Sequence, residues 1–485
     1  MPKNANLLEY TYIFRRNIAF IFNLQRKFQQ TVLMNFDKAI HSKRVITPEG
    51  VKEATIFIKN GKILDIVEPT PDAPHKDIPN LEDVGDSVVM PGIIDPHVHI
   101  NEPGRTEWEG FETATKAAAA GGITSMIEMP LNASPVTTTL RAFEEKIRAT
   151  EGKLHVNCGF YGGLIPQNVA TNDLKDLINA GVWGIKCFLT HSGIDEFPNV
   201  SEADLRKAMP KIAAFDVPLL AHCELDSEHP MQAFFDKNPT NYQAYLKSRP
   251  KSWENRAIEM MLHLCEKTDC RTHIVHLSSA DLIPKLKKLK QYLKLTVETT
   301  PQYLYFQAEK IPNAQTIFKC APPIREGANN EKLWAALKNG VIDFVGSDHS
   351  PAPPNIKEIE SGNLKKAWGG IAGLQFTLPV VWTKAREKGF SIVDISRILS
   401  ENPAKFLGLK TKGQIKKGFD ADLTIWNPEQ IFTIEEKNIQ HRHKITPYLG
   451  EILRGPVVQT YVSGDKVFDN GRYMKEPQGH VLLKH

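Results

Sequence analysis

Between Pro91 and about Leu407 the chain repeats one pattern, a short apolar run followed by a helical stretch. Such runs read as strands of a parallel sheet, which is covered on its faces and therefore stays apolar along each strand. Eight can be followed in order: Ile93 to His97, Ile123 to Met129, Val156 to Tyr161, Val182 to Phe188, Pro218 to Cys223, His273 to Leu277, Leu295 to Thr299 and Ile342 to Ser347. Eight such units close on themselves, so the expected fold class is α/β, a (β/α)8 TIM-like barrel. The helix signals agree: Thr113 to Ala120 is strongly helix-forming and is stopped by Gly121-Gly122.

The flanks read differently. From Met34 to Val89 runs such as Ala54 to Ile58 and Lys62 to Val67 are strand-like and are parted by turns such as Asn60-Gly61. After Asn402-Pro403-Ala404 the segment from Gly413 to Ile425 returns to short strands with glycine turns. The chain ends as it begins, so 34–90 and 408–485 are expected to form one small composite β-sandwich beside a barrel over 91–407. Residues 1–33 read as an extension, disordered or made from an upstream start codon, with a transit peptide as the alternative. Sixty basic residues against fifty-six acidic ones, without a long single-sign run, argue against a nucleic-acid groove or a membrane surface. Six dispersed cysteines with no C-x-x-C pair fit a reducing compartment, and the expected location is cytoplasmic.

In a barrel the residues that end the strands converge on one mouth. Strand one ends in His97-Val98-His99, strand four carries Lys186, strand five ends in His222, strand six in His276 and strand eight in Asp348. Two histidines two apart on a strand face the same way and can grip one ion. With His222, His276 and Asp348 they make five nitrogen and oxygen ligands, a set suited to zinc or a similar divalent metal. Lys186 does not belong by charge, because an ammonium is repelled by metal ions. As a bare residue it reads as a partly buried surface lysine.

The run from Met90 to His99, the strand-ending Lys186, His222 and His276, the segment Gly346 to Ser350, and Gly-x-Asp-Ala-Asp-Leu from Gly418 to Leu423 together resemble the cyclic amidohydrolases. That family includes dihydroorotases, hydantoinases and allantoinases. The resemblance implies that Lys186 is carboxylated on its amine by CO2, so that its carbamate bridges two divalent ions, zinc being expected. It also implies that the ions activate a water, with Asp348 as both metal ligand and general acid/base. A homo-oligomer, a tetramer, is expected as well.

Within the family the segments Asn101 to Phe111, Met129 to Asn132, Lys186 to Pro198, Phe318 to Arg325 and Ala367 to Ile371 resemble the allantoinase branch, from about Met34 to the chain end. Dihydroorotases commonly carry an arginine two residues after H-x-H to clamp a carboxylate. Here the position is Asn101, whose neutral amide suits a ureido or ring-amide group. Hydantoinases carry a tyrosine shortly after the strand-four lysine, and Cys187 to Gly193 has none. The expected substrate is thus the small molecule allantoin, with Asn101 and Cys320 as substrate contacts. The alternatives are a hydantoinase, a dihydropyrimidinase or a dihydroorotase, and, from another class, a non-catalytic scaffold. Gln302 stands where relatives often have histidine, which puts positioning in doubt rather than the chemistry. Trp183 and Trp368 read as packing residues, and His191 and His349 as neighbours of the site or solvent-facing.

Overall fold

A computed structural model describes residues 36–69, 78–473 and 476–484. The extension expected over 1–33 lies outside the described residues.

The first five strands are β1 (Lys38–Thr47), β2 (Gly50–Lys59), β3 (Lys62–Val67), β4 (Leu81–Asp83) and β5 (Val88–Pro91). The barrel follows with β6 (Ile93–Val98), β7 (Ile123–Glu128), β8 (Asn157–Phe160), β9 (Gly162–Gly163), β10 (Ile185–Phe188), β11 (Leu219–His222), β12 (Thr272–Ile274), β13 (Leu295–Thr299) and β14 (Phe344–Val345). β8 and β9 are one strand interrupted at Tyr161: β8 pairs with β7, and β9 pairs with β10. Counted so, there are eight strands, and every ladder between barrel neighbours is parallel. The ring closes where Val98 bridges His349 in parallel. The (β/α)8 fold expected from the alternation is the one observed.

The strand cores match the expected apolar runs, and the reason is burial on both sides. β10 and β11 are buried at every position, as are β6 and β7. The helix expected at Thr113 to Ala120 runs from Phe111 to Ala120 (α1) and ends where Gly122 takes a left-handed φ of 79°.

After the barrel come β15 (Leu423–Trp426), the hairpin β16 (Ile431–Thr433) and β17 (Ile452–Arg454), then β18 (Val457–Val462), β19 (Asp465–Asp469) and β20 (Arg472–Tyr473). One nine-stranded sheet has the order β20-β19-β18-β15-β5-β1-β2-β3, with β4 on β1. β15 runs antiparallel to β5, which joins the two ends of the chain directly ahead of the first barrel strand. This anchors the entry to the site: β5 leads through Gly92 into β6, which carries His97 and is followed directly by His99, and Gly92 N–H donates to Asp422 O at 2.8 Å. All six cysteines are free and buried. Among the described residues no helix is long and apolar enough to cross a membrane.

Candidate metal centre and active-site pocket

His97, His99, Lys186, His222, His276 and Asp348 all line one cavity of about 270 Å³ at the C-terminal mouth of the barrel. His97 and His99 project side by side from the end of β6, their ring centres 5.6 Å apart. The His97 ring lies 5.5 Å from that of His276, which lies 4.7 Å from that of His222. Asp348 reaches both histidines of the first strand, with Oδ1 3.2 Å from His97 Nε2 and 3.6 Å from His99 Nε2.

Two of these residues lie beyond their strands. The ladder of β12 stops at Ile274 and that of β14 at Val345, whereas the sequence pattern suggested His276 and Asp348 on or next to the final strand residues. Carboxylates end the ladders. His276 N–H donates to Glu298 Oε1 at 3.3 Å, and Ser347 N–H donates to Asp95 Oδ1 at 3.1 Å. Both residues then take left-handed backbone angles, φ 38° at His276 and 47° at Asp348. For residues other than glycine this conformation costs of order 1–3 kcal/mol and gathers at functional sites. Here it turns two side chains inward that an extended strand would carry past the mouth.

Three of the four imidazoles are held by one nitrogen, which fixes where the lone pair points. Glu298 accepts from His97 Nδ1, and Leu131 O accepts from His99 Nδ1 at 2.7 Å, so Nε2 is the free atom of both rings. Glu224 accepts from His222 Nε2 at 2.9 Å, so there the free atom is Nδ1, and it faces His276 Nε2 at 3.1 Å. The charge state follows. Burial lowers the pKa of His97, His222 and His276, and in His276 the nearby His222 and Lys186 deepen the effect. Neutral rings are what a metal ion binds. Burial would raise the Asp348 carboxyl, but in acid, where the imidazoles around it take protons, their charge holds it well below the usual carboxylate range, so at neutral pH it is ionised beside neutral rings. Burial brings the Lys186 amine down to about 8, against the pull of Asp348 and Glu298.

His97 Nε2, Lys186 Nζ and His276 Nδ1 are buried without a hydrogen-bond partner. An unmet buried polar group costs about 1–3 kcal/mol, and three within one cluster of inward-facing donors mark a place built for something more. His97, His99 and Asp348 alone bring ligand atoms within 4.8 Å of one another. The donor set is neutral imidazole and carboxylate, so the residues fit divalent metal.

The pattern of the amidohydrolase family matches residues 88–467. The allantoinase of Streptomyces avermitilis is 42% identical over 453 residues, spanning 93% of this chain and 100% of that one. The chain belongs to the amidohydrolase family. The allantoinase of Arabidopsis thaliana is 41% identical, over 92% of this chain and 90% of that one. A protein of Aquarana catesbeiana named mitochondrial allantoinase is 48% identical, over 76% of this chain and 75% of that one. Among solved structures, an L-hydantoinase (dihydropyrimidinase) from Arthrobacter aurescens has a TM-score of 0.86 at 32% identity, covering 93% of this chain and 100% of that one.

The walls of the amidohydrolase pocket explain its shape. Asn101, expected to touch substrate, is fully buried and is not among the lining residues. Its Oδ1 accepts from Asn132 Nδ2 at 3.1 Å, and Asn132 is the residue that lines the cavity. A left-handed φ of 67° turns Asn101 away from the line of His97 and His99, so it braces Asn132 instead. Cys320 does line the cavity, and burial pushes its thiol up to about 12, so it presents a neutral wall. Trp368, expected to pack, is also part of the wall and stands edge-on to Trp108 with ring centres 4.9 Å apart. Trp183 does pack, its Nε1 donating to Leu482 O at 2.8 Å. His191 lies on the rim, whereas His349 is fully buried with Nε2 3.7 Å from Glu109. Gln302 is buried and lies outside the lining.

Three carboxylates that organise the site were not singled out from the sequence: Glu298, Glu224 and Asp95. The available signal was an acidic residue inside an apolar strand, as in Leu295-Thr296-Val297-Glu298-Thr299 or Ile93-Ile94-Asp95. Such residues are almost never buried unless partnered. Glu298 serves three partners, since it also lies 3.2 Å from His273 Nε2.

Proposed function

We propose that this amidohydrolase hydrolyses the hydantoin-ring amide of allantoin to allantoate. The observation that carries the chemistry is that free imidazole lone pairs share one pocket with Asp348 and Lys186. The choice of ring rests on identity of 41% and 42% to allantoinases over nine-tenths of the chain.

His97, His99, His222, His276 and Asp348, with Lys186 as a carbamate bridge, would hold two divalent ions, zinc by the nitrogen-rich donor set. When bound, the ions supply an acidified water and polarise the scissile carbonyl. Lys186 becomes an anion when the lone pair of its neutral amine adds to CO2, forming an N–C bond and releasing one proton. A pKa near 8 leaves a usable fraction of that amine neutral, and the carbamate removes the charge conflict noted in the sequence.

Asp348 then does the proton work. As water adds to the carbonyl carbon, its carboxylate takes the proton. As the ring C–N bond breaks, it returns that proton to the leaving nitrogen, and the product carries a new carboxylate. Glu298 and Glu224 keep His97 and His222 in the tautomers that aim their lone pairs inward.

The arginines around the pocket are not set out as a clamp for a substrate carboxylate. The arginine of the lining, Arg249, is committed to Glu224, donating through Nε at 3.1 Å and through a second nitrogen. Arg105 is spent on Asn132 O at 2.7 Å and Glu196 at 2.8 Å. Neither of these two guanidinium groups is free to clamp dihydroorotate. Zinc as the ion, a tetrameric assembly and a cytoplasmic location are the finer parts of the proposal.

A panel of allantoin, dihydroorotate, dihydrouracil and hydantoin on one metal-loaded preparation tests the reading. Allantoin should show the highest kcat/KM, by about ten-fold or more over each of the others. A preference for dihydroorotate would overturn it.

A further inference from the structure

Lys319 lines the same cavity, half-buried, and the proposed chemistry does not use it. The other cations of the wall are accounted for. Lys186 belongs to the metal group, Arg249 is bonded to Glu224, and Lys366 is exposed to water. Among the described residues no carboxylate lies within ion-pairing distance of Lys319. Burial, with Arg249 nearby, brings its amine down to about 8, so it remains largely charged at neutral pH. Its Nζ donates to Ala367 O and, at a long 3.5 Å, to Lys365 O, and it stands 5.8 Å from the centre of the Tyr245 ring. An ammonium has three donors. Ala367 O takes one and Lys365 O at most a weak second, so at least one N–H is left in a pocket wall.

A half-buried ammonium with a donor to spare takes a further acceptor, from water or from a ligand that fills the cavity. The acceptors already present are neutral carbonyl oxygens, and a third of the same kind completes the shell. The charged group that acts on the amine is Arg249, which sits behind Glu224. Asp348 is not among the charges that act on the amine, which sets Lys319 apart from the carboxylate that meets the scissile amide.

We infer that Lys319 is a specificity-determining residue whose free donor holds a carbonyl oxygen on the substituent of a ring substrate, outside the amide that is hydrolysed. The inference rests on the reading of the reaction given above. It selects for rings bearing an acyl or ureido group over bare rings.

The test compares wild type, Lys319→Met and Lys319→Arg on allantoin and on unsubstituted hydantoin. Turnover is measured beside calorimetric binding of each ring, with metal content as a control. For Lys319→Met, kcat/KM on allantoin should fall about ten-fold or more, mainly through KM. Allantoin binding should weaken in parallel, hydantoin should change less than about two-fold, and Lys319→Arg should recover part of the loss. Equal losses on both rings would show that Lys319 merely holds the segment of Ala367, and no loss on allantoin would overturn the inference outright. If the methionine variant is unstable, Lys319→Leu, which also lacks a donor, takes its place with the same expected losses. A wild type that binds allantoin without hydrolysing it would sink the proposed reaction, while the binding comparison would still decide the role of Lys319.

Discussion

Lys186→Ala should leave a folded protein with no stoichiometric metal and at least about a thousand-fold less turnover. Lys186 is fully buried between β9 and β11, and its amine has no hydrogen-bond partner among the described residues. Removing an unmet buried amine relieves a desolvation cost and deletes no ion pair, so the barrel should tolerate the change. The loss should fall on the ions that the side chain would join. Short carboxylic acids such as acetate or propionate can enter the vacated space and supply two oxygens, so they should restore part of both metal content and rate. Full activity without added acid would exclude a bridging role.

The second large effect is expected at Asp348→Asn. The carboxylate sits 3.2 Å and 3.6 Å from His97 and His99, titrates well below the usual carboxylate range, and occupies a strained backbone position that aims it inward. An amide of the same shape keeps the packing and cannot take a proton. General acid/base catalysis contributes about 10²–10⁴-fold, and a weakened metal ligand adds to that, so kcat should fall by about 10³-fold or more. Circular dichroism and the thermal midpoint should change little. A variant that keeps a tenth of the wild-type kcat would remove Asp348 from the proton transfer.

The barrel was legible because its strands are buried on both sides and so read as apolar runs, and because Gly121-Gly122 stops α1 where the pattern ends. The histidines were legible because a two-residue spacing on a strand is a direction, and the ends of barrel strands share one mouth. Lys186 could be noticed but not understood from charge alone, since its meaning depends on the partners that the fold brings to it. Glu298 was harder still. It lies 201 residues from His97, the ring it holds, and nothing local in the sequence connects them. Asn101 shows the opposite failure: its place after H-x-H suggested the mouth, but its left-handed φ sends the amide to Asn132 instead. Trp368 was read as packing, which it does against Trp108, yet the same ring walls the cavity. Side-chain direction after a strand end depends on backbone angles that composition and periodicity do not encode.

The central claim is that the cluster around His97, Lys186 and Asp348 exists to hold two divalent ions that the hydrolysis needs. Elemental analysis of the purified full chain, paired with turnover before and after chelation, tests it most directly. About two divalent ions per chain are predicted, with activity lost on chelation and restored by zinc or a similar ion. A chain without stoichiometric metal that turns over at full rate in the presence of chelator would contradict it.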